Sequence, residues 1–407
     1  MVCEKNKDVE FDFDNDAIQT YVDGDWLKAK GTTLGADDGI GIAMEMALLK
    51  ANDIEHGPIE CVFTRDEETG LTGAFEMKPG FMTGDYLINL DSEDEGQLFV
   101  SCAGGVRTEA TYTVDEEKLP EGFSTFNLVV KGLTGGHSGD DINKKRANAN
   151  KLLVRFLWEQ SEKTDLRLCD IQAGGLHNAI PREAHATVAV PTAYVATFGE
   201  ELQAFVEKVR DEFSATEPEL TAVIEPVAAA PTCICKEQAE RLLKSLSVVH
   251  NGIFAMSQDL EGLVETSSNL ASVRKHGNQI VATTSQRSSV ASNLEYMASV
   301  VRSAFELGGA KCVTNEGYPG WKMNPKSEIL KVCVDSYKRL FGKEPLVRAI
   351  HAGLECGLFS EKYPHLDMVS FGPTLRGVHS PDERLLIPTV QMVWDHLLDV
   401  LKNVPEK

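Results

Sequence analysis

Along this chain the apolar positions change period at short intervals. Ile42, Met46 and Leu49 recur at helical spacing and predict a helix over residues 38–50. Asp38 stands near its N-terminus, where a carboxylate suits the helix dipole. Residues 58–64, Pro-Ile-Glu-Cys-Val-Phe-Thr, read as a strand that ends at the acidic turn Arg65-Asp66-Glu67-Glu68-Thr69-Gly70. Residues 86–90, Tyr-Leu-Ile-Asn-Leu, read as another apolar strand, ending at Asp91. Strand, acid-bearing loop and helix alternate. That is the pattern of an α/β sheet with its functional groups at the carboxyl ends of strands.

The pattern changes at Cys102-Ala103-Gly104-Gly105. Strands are predicted near 126–131, 166–173, 185–191, 219–226, 262–273 and 278–286. Helices are predicted near 146–160, 198–213, 236–248 and 290–306. The first pattern then resumes. Ile329, Val332, Cys333, Val334, Tyr337 and Leu340 mark a helix over 326–341, and a strand follows at 346–350. A closing helix over 388–402 has Pro388 at its start and Val390, Trp394, Leu397, Leu398 and Leu401 on its apolar stripe. The expected architecture is an α/β catalytic domain with a mixed sheet and flanking helices, in two segments (1–105 and 309–407). An α+β domain (106–308) is inserted between them.

A length of 407 residues agrees with two domains. The formal charge of −22 argues against a nucleic-acid partner, because a phosphate backbone would be repelled over most of the surface. No apolar run approaches membrane length, and the N-terminus has no basic-then-apolar signal pattern. Nine scattered cysteines point to reduced thiols in a cytoplasmic setting.

Adjacent carboxylates repel, so Glu67-Glu68 held in a turn needs a cation or a shared proton. Neighbours on an extended backbone point to opposite sides. One can therefore ligate a metal while the other takes a proton from water, the division used in metal-assisted hydrolysis. A solvated acidic turn is the plain alternative. Asp37 lies between Gly35 and Gly39, which let the backbone approach a ligand closely, and helix capping by Asp37 or Asp38 is the competing reading. Asp91 ends a strand, where ordinary turn chemistry is the alternative. His379 sits in a polar loop before Pro381, and His351 lies upstream. His137, in Gly135-Gly136-His137-Ser138-Gly139, is an imidazole with little steric cover, suited to donate to an oxyanion or simply to be a surface histidine. Cys233-Ile234-Cys235 has the wrong spacing for a redox or zinc pair, and His177 and His185 carry no assignment by themselves.

Taken together, six motifs in order resemble the aminoacyl-histidine dipeptidases, or cytosolic non-specific dipeptidases, of the co-catalytic zinc aminoacylase-type peptidases. They are Gly31-Thr32-Thr33-Leu34-Gly35-Ala36-Asp37, Asp66-Glu67-Glu68-Thr69-Gly70, Asn89-Leu90-Asp91-Ser92-Glu93-Asp94-Glu95-Gly96, Gly135-Gly136-His137-Ser138-Gly139, His177-Asn178-Ala179-Ile180-Pro181-Arg182 and His351-Ala352-Gly353-Leu354-Glu355-Cys356-Gly357. The resemblance implies that Asp37 bridges two zinc ions, that Glu68 and His379 complete one site, and that Asp91 belongs to the other. It implies Glu67 as general base and His137, on the inserted lid, as oxyanion donor, in this superfamily often across a homodimer interface. It makes Asn178, Arg182, His351 and Glu355 candidates for substrate binding. The reaction implied is hydrolysis of dipeptides, Xaa-His among them, with Co2+ or Mn2+ as substitutes for zinc.

The family pattern also has a His-x-Asp motif, which would fall immediately before Met1, and a further N-terminal segment of the catalytic sheet. The expectation is that the second metal site is weak, that one zinc rather than two is held, and that strand edges are left open. A start placed too late explains this most simply. A catalytically inactive dimeric dipeptide-binding relative and an N-acyl-amino-acid amidohydrolase are the alternative functions.

Overall fold

The computed structural model describes residues 1–405. Two compact units divide it: Met1–Cys102 together with Gly320 to the last described residue, and Ala103–Pro319.

The second unit is built on one large antiparallel sheet. Its strand order is Thr221–Pro226, Phe123–Lys131, Ala184–Pro191, Arg167–Gly174, Val264–His276, Gln279–Ser288, Gly104–Thr113 and Lys311–Thr314. Alternating burial along Arg167–Gly174 marks one face as core. The helices Ala149–Ser161, Val195–Glu212, Lys236–Val248 and Ala291–Leu307 bury their apolar stripes in that core. Phe156 packs its ring 5.4 Å from Phe198 and 5.2 Å from Phe205, in the tilted geometry aromatic pairs favour. The sequence expectation placed the unit boundaries at 105/106 and 308/309, whereas the division falls at 102/103 and 319/320. Backbone pairing explains the difference. Lys311–Thr314 joins the large sheet beside Gly104–Thr113, and Gly105 bridges to Tyr318.

The first unit carries a four-stranded mixed sheet in the order Leu346–Ile350, Gln97–Cys102, Asp367–Ser370, Tyr86–Asn89. Helices Glu328–Phe341 and Ile387–Asn403 pack together, and the buried His396 ring meets the Cys333 carbonyl at 2.9 Å. A second, antiparallel sheet runs Thr20–Asp23, Trp26–Ala29, Arg384–Leu386, Leu375–Arg376.

Two local expectations are corrected. Residues 58–64 form no strand. An apolar run becomes a strand only with a ladder partner, and side chains anchor this segment instead. Glu60 accepts from the Thr83 and Gly84 N–H groups, and the Cys61 thiol meets the Glu45 carbonyl. The helix found at Ala36–Lys50 buries Ala36, Gly41, Met44 and Leu48, so the predicted stripe of Ile42, Met46 and Leu49 faces outward, each at least 46% exposed.

Asn148 ties a helix of the second unit to the sheet beneath it. Its Oδ1 caps the helix by accepting from the Asn150 and Lys151 N–H groups, and its Nδ2 donates to the Leu270 carbonyl. It is 5% exposed. Asn148→Ala removes the cap and leaves a buried carbonyl without that donor, so unfolding should cost about 2 kcal/mol less. Urea denaturation followed by circular dichroism checks this. An unchanged midpoint would show that the cap is idle.

Candidate metal centre

Strand pairing brings the site together. Trp26–Ala29 runs antiparallel to Arg384–Leu386, with Trp26 opposite Leu386 and Lys28 opposite Arg384. The chain leaving Ala29 towards Asp37 and the chain arriving at Arg384 from His379 thus emerge from the same end of the pair. Asp37 stands at the start of helix Ala36–Lys50 but has left helical geometry (φ −93°, ψ 104°), and the Asp37–Asp38 peptide is cis. His379 has φ +62°, a left-handed conformation uncommon outside glycine. Glu67 and Glu68 sit in a tight turn, where the Gly70 and Leu71 N–H groups donate to the Glu67 carbonyl.

His379 Nε2 lies 3.1 Å from Asp37 Oδ2 and 3.0 Å from Glu68 Oε2. One ligand atom from each of the three falls within 4.8 Å of the other two. The Asp37 and Glu68 side chains are 15% exposed and the His379 ring 52%, so the trio is sheltered below and open above. Two carboxylates and an imidazole make a donor set that suits a divalent transition metal or zinc. The residues present therefore fit a cation.

Electrostatics point the same way. Burial, then the charges of Glu68, Glu355 and Asp37, push the Glu67 carboxyl up to about 7. Burial likewise takes Asp38, Glu45 and Glu93 to about 7. Glu68 is raised by burial and by Asp37, with His379 opposing. Asp91 is driven far above the carboxylate range by burial and by Asp38 and Asp37, and in its protonated form it donates a hydrogen bond to Asp37. Glu67, Glu68 and Asp91 thus gather around Asp37, joined by Asp38, read from the sequence only as a partner of the helix dipole or a cap, and by Glu93, which has no assigned role there. Glu383 was missed as well. It is 2% exposed, and its carboxylate accepts from the N–H groups of Leu34, Gly35, Ala36 and Asp37. His351 and Glu355 are 6% and 8% exposed. Glu355 begins the helix Glu355–Lys362 and accepts from the Thr64 hydroxyl at 3.0 Å.

His137, Asn178 and Arg182 belong to the second unit. The short strand Gly136–His137 pairs with Ala179–Ile180, and the Ser138 N–H donates to the Asn178 carbonyl, which brings the 135–139 and 177–182 motifs side by side. His137 Nδ1 lies 3.3 Å from Asp140 Oδ2. Hydrogen bonding to His137 holds the Asp140 carboxyl below its ordinary range. Gly136 has φ +139°, and a Cβ there would stand 2.1 Å from an Arg146 nitrogen, so the turn needs glycine. Asn178 and Arg182 are exposed. His177 is held low by desolvation and by the Arg107 and Arg287 guanidinium groups. Cys233 is buried in strand Thr232–Ile234, and all nine cysteines are free thiols.

Residues 12–403 match the model of Peptidase family M20/M25/M40. The chain is 42% identical over 407 residues to the cytosol non-specific dipeptidase of Escherichia coli K12, covering 100% of this chain and 84% of the relative. The crystal structure of aminoacylhistidine dipeptidase from Vibrio alginolyticus superposes with a TM-score of 0.95 at 43% identity, over 100% of this chain and 83% of that one. The aminopeptidase PepT of Bacillus cereus shares the fold, with a TM-score of 0.55 at 14% identity over 95% of this chain and 76% of its own.

A cluster of carboxyl groups that titrate near 7 makes cation binding proton-linked. At pH 6 Glu67, Asp38 and Glu93 are largely protonated in the metal-free chain, and a cation that favours their ionised forms displaces those protons. At pH 8 they are already ionised. Zinc binding should therefore release more protons at pH 6 than at pH 8, read by calorimetry in buffers of different ionisation enthalpy. For folding, a raised carboxyl pKa contributes stability that is full below the ordinary carboxylate range and is lost as pH climbs through about 7. Equal proton release at both pH values would contradict the assignment.

Proposed function

The chain belongs to peptidase family M20/M25/M40, and from that premise we propose that it is a metal-dependent dipeptidase that hydrolyses Xaa-His and other dipeptides. The observation that carries the reading is the convergence of Asp37, Glu68 and His379 on one point, with the Glu67 carboxyl beside it and pushed up to about 7. Divalent metal use follows from the family, and the proposed ion is zinc, with Co2+ or Mn2+ as substitutes. Asp37, Glu68 and His379 would hold the first ion. Asp91, beside Asp37, would offer a donor for a second ion. The chemistry such an ion would supply is Lewis acidity toward the scissile carbonyl and the attacking water.

The chain's own groups do the rest. Glu67, next to Glu68 at that point, takes a proton from the attacking water and delivers it to the departing amine nitrogen, acting as general base and then general acid. His137 is assigned as donor to the developing oxyanion, with Asp140 engaging its Nδ1. In the lid, Arg182 and Asn178 bind the substrate's terminal carboxylate, the guanidinium through paired charge-assisted hydrogen bonds. His351 and Glu355 are the remaining candidates for substrate binding, and Glu355 is within electrostatic reach of Glu67.

A homodimer is part of the proposal. Strand Gly252–Met256 pairs with Val264–His276 and exposes Ile253, Phe254 and Met256 near Tyr296. The setting proposed is the cytoplasm. No helix among the described residues is long and apolar enough to cross a membrane.

The test is release of free amino acids from Xaa-His dipeptides by the zinc-supplied chain, with N-acyl amino acids as the contrast. Dipeptides should be cleaved and acylated substrates left intact. Glu67→Gln should lower kcat about 10²–10⁴-fold while zinc still binds. His137→Ala should lower kcat about 10²-fold or more with KM little changed. Thermal stabilisation by a dipeptide without any product would replace the enzyme reading with a binding protein.

A further inference from the structure

Glu383 is the side chain whose arrangement the proposed chemistry does not use. Its Oε2 accepts from the N–H groups of Leu34 at 2.8 Å and Gly35 at 3.0 Å. Its Oε1 accepts from Ala36 at 2.8 Å and Asp37 at 3.3 Å. A buried carboxylate that collects four backbone donors is strongly held, because each bond is charge-assisted and shielded from water. The donors come from the turn that opens helix Ala36–Lys50. The residue before that helix, Gly35, is left-handed (φ +72°) and supplies no side-chain cap. The first N–H groups of a helix have no partner within it, and here a residue almost 350 positions away fills that role.

More than capping is at stake. Asp37 has left helical geometry, so the helix ladder does not set its position. Its own N–H bonds to Glu383. Glu383 in turn is four residues from His379, in a loop that closes on itself. The Glu383 N–H donates to the Ser380 carbonyl at 3.0 Å, and the Ser380 hydroxyl donates to the Gly377 carbonyl at 2.7 Å. Beyond Glu383 the chain enters strand Arg384–Leu386, paired to Trp26–Ala29. One carboxylate therefore joins the loop that carries His379 to the turn that carries Asp37.

We infer that Glu383 is a positioning residue for the metal centre: by gripping the Leu34–Asp37 turn from the His379 loop, it fixes the separation of Asp37 and His379 and thereby sets cation affinity. The inference rests on the proposed reading of those two residues as ligands. Only a carboxylate does this well. Glutamine has one acceptor oxygen and an NH2 group that would face two N–H donors, so two bonds are lost and two donors are opposed.

The experiment is Co2+ titration of the full metal-free chain, read by calorimetry and by visible absorption, at a temperature where every variant is folded. Glu383→Gln should weaken Co2+ binding about tenfold or more, the range seen when groups that orient metal ligands are removed, and should alter the visible band. Glu383→Asp keeps the charge but shortens the reach, and should fall between. Ser336→Ala is the stability control. That hydroxyl is buried and donates to Asp399 at 2.5 Å in the same unit, so its loss should lower the melting temperature and leave Co2+ affinity within about twofold. A folded Glu383→Gln chain with affinity within twofold of wild type would overturn the inference. So would an equal loss of affinity in Ser336→Ala, since the effect would then be general destabilisation. If Glu383→Gln does not fold by circular dichroism, Glu383→Asp decides on the same twofold criterion. A wild-type chain that binds no Co2+ would overturn the metal reading and the inference with it, an outcome distinct from binding that ignores Glu383.

Discussion

Like charge crowded around one aspartate is the constraint on which the catalytic unit turns. Asp38, Glu67, Glu68, Asp91 and Glu93 each feel the Asp37 carboxylate or its neighbours, and burial raises every one of them. The groups opposing them include His379 for Glu67, Glu68 and Glu93, and Arg376 for Glu93. So many carboxyls cannot all ionise together in a partly dry site. They must hold protons or share a divalent cation, and a cation neutralises several at once.

The scaffold answers that demand with rigid supports on both sides. The pairing of Trp26–Ala29 with Arg384–Leu386 sets two distant stretches of chain in register. Glu383 then locks the turn that follows one strand to the loop that precedes the other. A further negative charge beside a cluster of acids looks perverse, and it does act against ionisation of Glu68. Its four N–H partners resolve the difficulty. Backbone donors carry partial positive charge and hold the carboxylate as firmly as a cation would, without bringing in a side chain that could compete for the acids of the site.

Much of this could be read from the residues, and what could not has physical causes. Helical periodicity located Glu328–Phe341 and Ile387–Asn403 to within two residues, because their stripes are bounded by Ser327 and Pro388. Asp37, Glu68 and His379 announced themselves as charged or imidazole groups in glycine-rich or acidic turns. Glu383 did not. It sits in a polar loop, and its partners are main-chain N–H groups, which leave no trace in residue type. The same blindness to neighbours explains the two errors of local structure. Residues 58–64 have strand-forming composition, but strand formation depends on a partner that a local pattern does not contain. In helix Ala36–Lys50 the spacing of Ile42, Met46 and Leu49 revealed the period, while burial followed the small residues Ala36 and Gly41 with Met44 and Leu48.

Glu67 and Glu68 show how little of a role belongs to a residue and how much to its place. They are chemically identical and adjacent. Glu68 turns its carboxylate to His379 at 3.0 Å, where the imidazole counters its charge. Glu67 has desolvation as its largest influence and reaches about 7, with Glu68 itself as the next contributor. The first is thereby suited to hold a cation and the second to trade a proton. Neither property survives alone, since the charge of Glu68 helps to raise Glu67, and a cation that neutralises Glu68 would lower it. The pair would therefore couple cation binding to the basicity of Glu67, because a cation that neutralised Glu68 would bring the Glu67 carboxyl nearer to full ionisation at neutral pH.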